Sequence, residues 1–386
     1  MMKLTGEQKS LLNGESGGAL ALALKTIVEY GEAFGAVRLV PIKSAHLAGT
    51  IGAFPYKAYY QVLDRLMKEG ARVKVPTTLN PRPGHKLNPV NRILFGKQKK
   101  IDQMERVFGV SPNYSCVCYD GVNVPAQGDV VGWAESSAVQ YANSVLGART
   151  NRNSVLVDIC MAATGFTPEF GYLLDENRRG RTLVKLEIER MDAPALGFII
   201  GKRLVDRIPV MEHYDFSGID LKNMGGAMAA SGGGAMFHVE GLTPEAPDMK
   251  TAFNGEPEEI LTVTQRDLDE LRAEDAGSAD LVVFGCPQMT YDEAVEVAGM
   301  FAGRRSKKPV WFCMIPEARK RFEKSEAWAR IGDAGIELYE HCPLAALTVR
   351  LGKKYVLTPS GKLYYYLAGS HYGNVEDCLR ACGVLF

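Results

Sequence analysis

The chain has 386 residues, 46% of them hydrophobic and 23% charged, with 45 basic and 45 acidic side chains and a formal net charge of zero. That is a globular composition, long enough for two or three packed units. It lacks the basic excess of a nucleic-acid binder or an anionic-membrane binder, so a charged substrate must be held by a few local residues.

The basic run 97–100 is cut off by Asp102 and Glu105 and reads as a solvated helix face. The N-terminal stretch has no apolar segment behind a basic start, which predicts no secretory signal. No window approaches the ~18 uninterrupted apolar residues of a membrane span. A cytoplasmic location is expected, with neither nucleic acid nor membrane as a partner. Eight cysteines are too sparse for a disulfide scaffold, and a reducing compartment keeps them as thiols.

In chain order, the pattern from Ala19 is helical, with Gly31 as a stop. Residues 37–42 read as a buried strand, 57–69 as an amphipathic helix ended by Gly70, and 73–75 as a second short strand. A loop rich in Pro and Asn follows over 77–89, and 111–132 is irregular. A helix is expected over 134–146 and a half-exposed strand over 183–189. The glycine-rich segment 225–241 lacks the phosphate-loop ending in Lys-Ser or Lys-Thr, so it is expected to be close-packed or mobile backbone. Strand 260–263, helix 264–274 and strands 281–286, 310–314 and 336–339 complete the pattern. Strand–helix alternation at this spacing predicts an α/β fold with largely parallel sheets flanked by helices. A domain boundary is placed near residue 255, giving regions 1–255 and 256–386.

Cys286 ends an apolar strand in Val282-Val-Phe-Gly-Cys-Pro, and Cys342 follows another in Leu338-Tyr-Glu-His-Cys-Pro. Strand ends of this kind open into the crevice where α/β proteins bind ligands. Cys116 lies in the irregular segment Tyr114-Ser-Cys-Val-Cys-Tyr. The three can converge on one metal centre. Their spacing matches no compact cluster signature, however, and on spacing alone structural burial is the stronger reading. Cys160, Cys313, Cys378 and Cys382 fit a packing role. Cys118 can replace Cys116 only if the loop turns the other way.

Several blocks resemble the aconitase X family, the simplest branch of the aconitase superfamily. They are Cys116-Val-Cys-Tyr with Pro125, Gly132-Trp-Ala-Glu-Ser-Ser-Ala-Val, and Tyr141-Ala-Asn-Ser-Val-Leu-Gly-Ala-Arg-Thr-Asn-Arg. Thr164-Gly-Phe-Thr-Pro-Glu-Phe-Gly, Phe237-His-Val-Glu-Gly-Leu-Thr-Pro-Glu-Ala and Gly285-Cys-Pro also match, and Ser44-Ala-His-Leu-Ala-Gly looks like the family's N-terminal substrate loop. The likeness covers nearly the whole chain. It departs from the family at Val117 and Cys118, where Thr-Pro is common, at Gln288, where His is often found, and over 50–60.

The resemblance implies an aconitase-like, multi-domain hydro-lyase. Cys116, Cys286 and Cys342 would hold an iron–sulfur cluster, 4Fe-4S or 2Fe-2S, that acts as a Lewis acid with one open position. It implies a small aconitase X subunit, a swivelling domain, that supplies a serine base. The implied substrate is a small β-hydroxy carboxylate, either mevalonate 5-phosphate or cis-3-hydroxy-L-proline. The alternative is a non-catalytic iron–sulfur sensor or assembly protein.

Ser44 and the run Arg149, Thr150, Asn151 and Arg152 are the substrate-binding candidates, since arginine suits bidentate anion recognition. A helix C-terminus that favours cations through its dipole is the competing explanation for the arginines. Ser136 and Ser137, with Glu135 before them, either line the site or cap the helix that starts there. His46, in a loop after a strand, and Lys362, in Pro359-Ser-Gly-Lys, are further catalytic candidates. An exposed turn lysine is the alternative for Lys362. Arg82, Lys86 and Arg92 are candidates for a phosphate, and His238 is expected to pack and bond locally.

Overall fold

The computed structural model describes residues 2–48, 56–83, 89–253, 255–301, 303–332, 334–348 and 355–385. In its first part the strands are β1 (Leu39–Pro41), β2 (Ala45–Leu47), β3 (Thr77–Leu79), β4 (Gly132–Trp133) and β5 (Phe166–Pro168). β6 (Thr182–Glu187), β7 (Pro209–Met211), β8 (His238–Val239) and β9 (Glu259–Thr264) follow. The last part has β10 (Leu281–Met289), β11 (Val310–Met314), β12 (Ile336–Tyr339), β13 (Val356–Thr358) and β14 (Ser370–Tyr372).

Three of the four sheets among the described residues are wholly parallel, in the orders β3-β2-β4, β8-β7-β6-β9 and β12-β11-β10-β13-β14. The fourth is the antiparallel pair β1-β5. Parallel strands are covered on both faces, so they are apolar throughout instead of alternating. β10, Leu-Val-Val-Phe-Gly-Cys-Pro-Gln-Met, is buried at every position but Gly285. This is the α/β class with parallel sheets and flanking helices that the pattern predicts.

Local chemistry accounts for the helix starts. Ser217 and Asp220 form a capping box at Gly218–Ser231, and Asn374 and Asp377 do the same at Val375–Ala381. The first half of the glycine-rich segment lies inside the helix Gly218–Ser231. A Cβ on Gly226 would stand 2.7 Å from the Pro287 ring, so glycine lets this helix lie directly against the Cys286–Pro287 segment.

Other boundaries move. The strand expected at 73–75 forms at β3 instead, because Val73 and Lys74 donate their N–H groups to Phe108 and Ala162 at the ends of helices. The helix expected over 264–274 is Gln265–Asp269. β9 pairs with β6 along its whole length, from Glu259 opposite Thr182 to Thr264 opposite Glu187, so the middle sheet runs past the boundary placed at residue 255. No helix among the described residues is long and apolar enough to cross a membrane.

Candidate active site

The carboxyl ends of two parallel sheets meet around one cavity of about 590 Å3, lined among others by Asn80, Cys116, Glu135, Cys286, Cys342 and Lys362. Asn80 directly follows β3, and Glu135 lies two residues beyond β4. Cys342 follows β12 and caps the helix Pro343–Leu347, while Lys362 sits in the helix Gly361–Tyr366 after β13. Crevices at carboxyl strand ends are where α/β folds place ligands.

Cys286 is aimed by an irregularity in β10. Gly285 has φ +92° and Cys286 φ +132°, and the pairing with β11 slips between Phe284 and Met289. A Cβ at Gly285 would stand 2.5 Å from the Cys313 carbonyl oxygen, so only glycine fits. Bulges of this type next to active sites re-aim a side chain, and the positive φ at a cysteine is strain the surrounding sheet must hold. The Ser360 hydroxyl donates to the Cys286 carbonyl and accepts from Leu363 N–H at 2.9 Å, which ties the Lys362 helix to the Cys286 bend.

Burial raises all three cavity thiols: Cys116 to about 12, Cys286 well above the ordinary value, and Cys342 in the same direction. The Glu135 charge adds to the rise and the Lys362 charge opposes it. Each negative sulfur would also raise its neighbours, so the three could ionise together only around a positive group. Among the described residues no three His, Cys, Asp or Glu side chains are arranged to hold a metal ion. Three soft donors around a cavity fit a larger inorganic group, whose ligands stand further apart, with no fourth cysteine in the described lining to close it.

The same cavity borders a buried polar chain. Glu135 accepts from Lys362 Nζ, from Ser137 Oγ at 2.9 Å and N–H at 3.2 Å, and from Asn80 Nδ2 at 2.8 Å. Burial alone would raise this carboxyl, but Lys362, Asn80 and Ser137 together hold it at about 2. Lys362 is likewise held charged: burial, the largest influence, works against it, but Glu135 together with Cys286, Cys116 and Tyr366 outweighs it and puts its pKa above the usual lysine value. Its ammonium also reaches Ser137 Oγ at 3.0 Å and Ser136 Oγ at 3.3 Å.

The chain continues inward to His46, which is fully buried in β2 and not in a loop. Because the Glu135 carboxylate can only accept, Asn80 must turn its amide nitrogen toward it and its Oδ1 toward His46. His46 Nε2, 2.7 Å from that oxygen, therefore carries the proton, and Nδ1 accepts from the Thr78 hydroxyl at 2.8 Å. Asn123 Nδ2 donates to the same Thr78 oxygen at 3.1 Å. Burial lowers the His46 pKa to about 4, so the ring is neutral in this tautomer.

The other expected residues lie elsewhere. Ser44 is buried, and its hydroxyl accepts from Trp133 Nε1 at 3.3 Å. Arg149 pairs with Asp175 and donates to the Leu173 carbonyl at 2.8 Å. Thr150 bonds to Asn143, Asn151 braces Phe170 and Tyr172, and Arg152 donates to the Gly232 carbonyl. None of these four lines the cavity, because their polar atoms are committed to holding the loop after the helix Ser136–Ser144. Arg82 is buried against Asp102 and Glu105 at 2.9 and 2.6 Å, where it serves as an internal counter-ion. Arg92 is in the helix Pro89–Leu94, and Lys86 lies outside the described residues. His238 donates to the Arg178 carbonyl at 2.7 Å, a local bond as expected. Asn80 was not singled out by the sequence; its only signal is a polar residue immediately after a short strand.

A cavity at parallel strand ends, lined by three thiols and a buried lysine–carboxylate pair, is the site of an α/β enzyme. Three family models match in succession: the aconitase X first domain over residues 1–176, the second over 180–273 and the third over 279–383. The chain belongs to the aconitase X family. Cys116 and Glu135 fall in its first domain, and Cys286, Cys342 and Lys362 in its third.

The phosphomevalonate dehydratase large subunit of Methanosarcina mazei is 34% identical, over 98% of this chain and 96% of the relative. The cis-3-hydroxy-L-proline dehydratase of Pseudomonas aeruginosa is 33% identical, over 95% of this chain and 67% of that longer protein. The crystal structure of Thermococcus kodakaraensis aconitase X in its holo form superposes with a TM-score of 0.88 at 31% identity, covering 98% of this chain and 99% of that one.

Proposed function

We propose that this chain is the large subunit of a hydro-lyase that removes water from a small β-hydroxy carboxylate at an iron–sulfur centre held by Cys116, Cys286 and Cys342. The observation that carries this is the convergence of three thiols and the Lys362–Glu135 pair on one cavity. When bound, such a cluster supplies a Lewis acid that makes hydroxide a better leaving group. Thiol ligands that must stay reduced support a cytoplasmic location.

Among the described residues lining the cavity Lys362 is the one cation, and its ammonium neutralises the substrate carboxylate. Glu135 keeps Lys362 charged and fixes where it points. The Ser136 hydroxyl, at the cavity wall beside Lys362, donates to a substrate oxygen. Pro81, Leu94, Phe95 and Leu344 give an apolar wall that excludes water and strengthens these charge interactions. Glu135, held at about 2, is a poor base, and His46 does not reach the cavity. The base that takes the α-proton is, as the family resemblance implies, a serine on a separate small subunit. The names of the relatives matched end to end, all large subunits, support such a partner.

Those same names support mevalonate 5-phosphate as substrate. The lack of a second cation in the described lining favours testing cis-3-hydroxy-L-proline beside it, since that compound has no phosphate. Large and small subunits purified together without oxygen should dehydrate mevalonate 5-phosphate. Turnover of cis-3-hydroxy-L-proline alone would move the substrate to that compound, and water loss from neither would sink the reading.

A further inference from the structure

Gln288 lines the cavity, yet its polar atoms are already bonded within the protein. Its backbone N–H donates to Cys116 Sγ at 3.3 Å, and its Oε1 accepts from Cys116 N–H at 3.2 Å. The amide nitrogen donates to the Met314 carbonyl at 2.9 Å and the Glu340 carbonyl at 3.3 Å. Two carbonyls on one side fix the orientation of the amide, since only Nε2 can donate. The Gln288 carbonyl accepts from Lys222 Nζ at 3.1 Å, and Lys222 is paired with Glu293 at 2.7 Å.

This residue therefore has nothing left to offer a substrate. What it joins is more telling. Cys116 is bonded to it directly, Cys286 is two residues before it in β10, and Glu340 is two residues before Cys342. Met314 ends β11, the strand between the other two.

We propose that Gln288 is the positioning residue that sets the three cysteines in register before any metal arrives. The inference rests on reading Cys116, Cys286 and Cys342 as ligands. Their sulfurs come from three segments far apart along the chain, and a metal site tolerates only about 0.5 Å of misplacement. Hydrogen bonds from one side chain to all three segments hold that register without a metal. The Gln288 backbone N–H points at Cys116 Sγ, and hydrogen bonds of this kind to sulfur tune a cluster's potential.

The test compares the metal-free wild-type chain with Gln288→Leu and Gln288→His. Leucine fills the space but leaves Cys116 N–H and two carbonyls without partners. An imidazole presents one acceptor and one donor, and so restores the bridge in part. Iodoacetamide labelling read by mass spectrometry should show Cys116 and Cys342 reacting about tenfold faster in Gln288→Leu, the factor set by one lost hydrogen bond of protection. Cys160 and Cys378 should be unchanged. Iron bound after anaerobic reconstitution should fall in Gln288→Leu and recover in Gln288→His.

Unchanged labelling at Cys116 and Cys342, unchanged iron content, or equal acceleration at every cysteine would overturn the proposal, the last because it reports loss of fold and not of register. Iron uptake that survives Cys116→Ser and Cys342→Ser would remove the ligand assignment itself, whatever the Gln288 chains do.

Discussion

His46 is linked to Glu135 through a single carboxamide, that of Asn80, with bonds of 2.7 and 2.8 Å on its two sides. The ring cannot turn without releasing Asn80, and Asn80 cannot flip without presenting an oxygen to a carboxylate. His46 therefore acts on Lys362 at one remove, by holding the acid that holds the ammonium.

Asn80→Asp tests this linkage. An aspartate cannot donate to Glu135, so the new negative charge should draw a proton onto His46. Nitrogen-15 NMR of the histidines should then show His46 as an imidazolium at neutral pH, against a neutral ring with the proton on Nε2 in the wild type. kcat should drop about 100-fold as Lys362 is displaced. His46→Gln keeps a donor toward Asn80 and should cost less than His46→Leu.

Lys362 and Glu135 are both buried, at 5% and 8% exposure, so removing either charge strands the other. Lys362→Met should destabilise the chain by about 3–5 kcal/mol in urea unfolding. Lys362→Met with Glu135→Gln together should cost less than the sum of the single changes. A sum that simply adds would mean that the pair is not coupled.

Acid should weaken the fold in two windows. The fold keeps His46 at about 4, below the ordinary histidine value of 6.5, so it binds this proton less readily than the unfolded chain does. That contribution is complete above pH 6.5 and fades as pH falls toward 4. Glu135, held at about 2 against 4.5, adds a second loss as pH falls from 4.5 toward 2. A pKa that differs by one between the folded and unfolded chain is worth about 1.4 kcal/mol. Stability measured against pH should lose the upper window in His46→Gln and the lower one in Glu135→Gln.

Serine replacements sort the cysteines. Cys116→Ser, Cys286→Ser and Cys342→Ser should each lose iron and turnover together. Cys160→Ser and Cys378→Ser should keep both, because these thiols are buried away from the cavity. Iron content and visible absorbance of anaerobically prepared chains read the outcome directly.

Much of this architecture shows in the residues themselves. The apolar runs of β10, β11 and β12 mark buried parallel strands, and Cys286 and Cys342 stand where those runs end. Glu135 has the look of a helix cap, and it is one as well as the partner of Lys362. Other features depend on partners far along the chain. Nothing near Arg149 shows that Asp175 will take its charge, and Arg82 gives no sign that Glu105 is buried beside it. β3 is three residues long and lies in a proline-rich stretch, because its hydrogen bonds come from β2 and not from any local preference. Gln288 is silent in sequence for the same reason, with its carboxamide spent on Cys116, 172 residues away.

The cavity closes across a long stretch of chain: Lys362 is made 227 residues after Glu135, the carboxylate that it must meet. During synthesis the first-domain wall exists well before the third-domain wall, so Cys116 waits without its neighbours while β10 to β13 are still to come. On the proposed ligand assignment, metal delivery must then be timed to the finished polypeptide. A ribosome-bound or truncated chain offers Cys116 without Cys286 and Cys342, open to oxidation, and slow folding of the last domain extends that exposure.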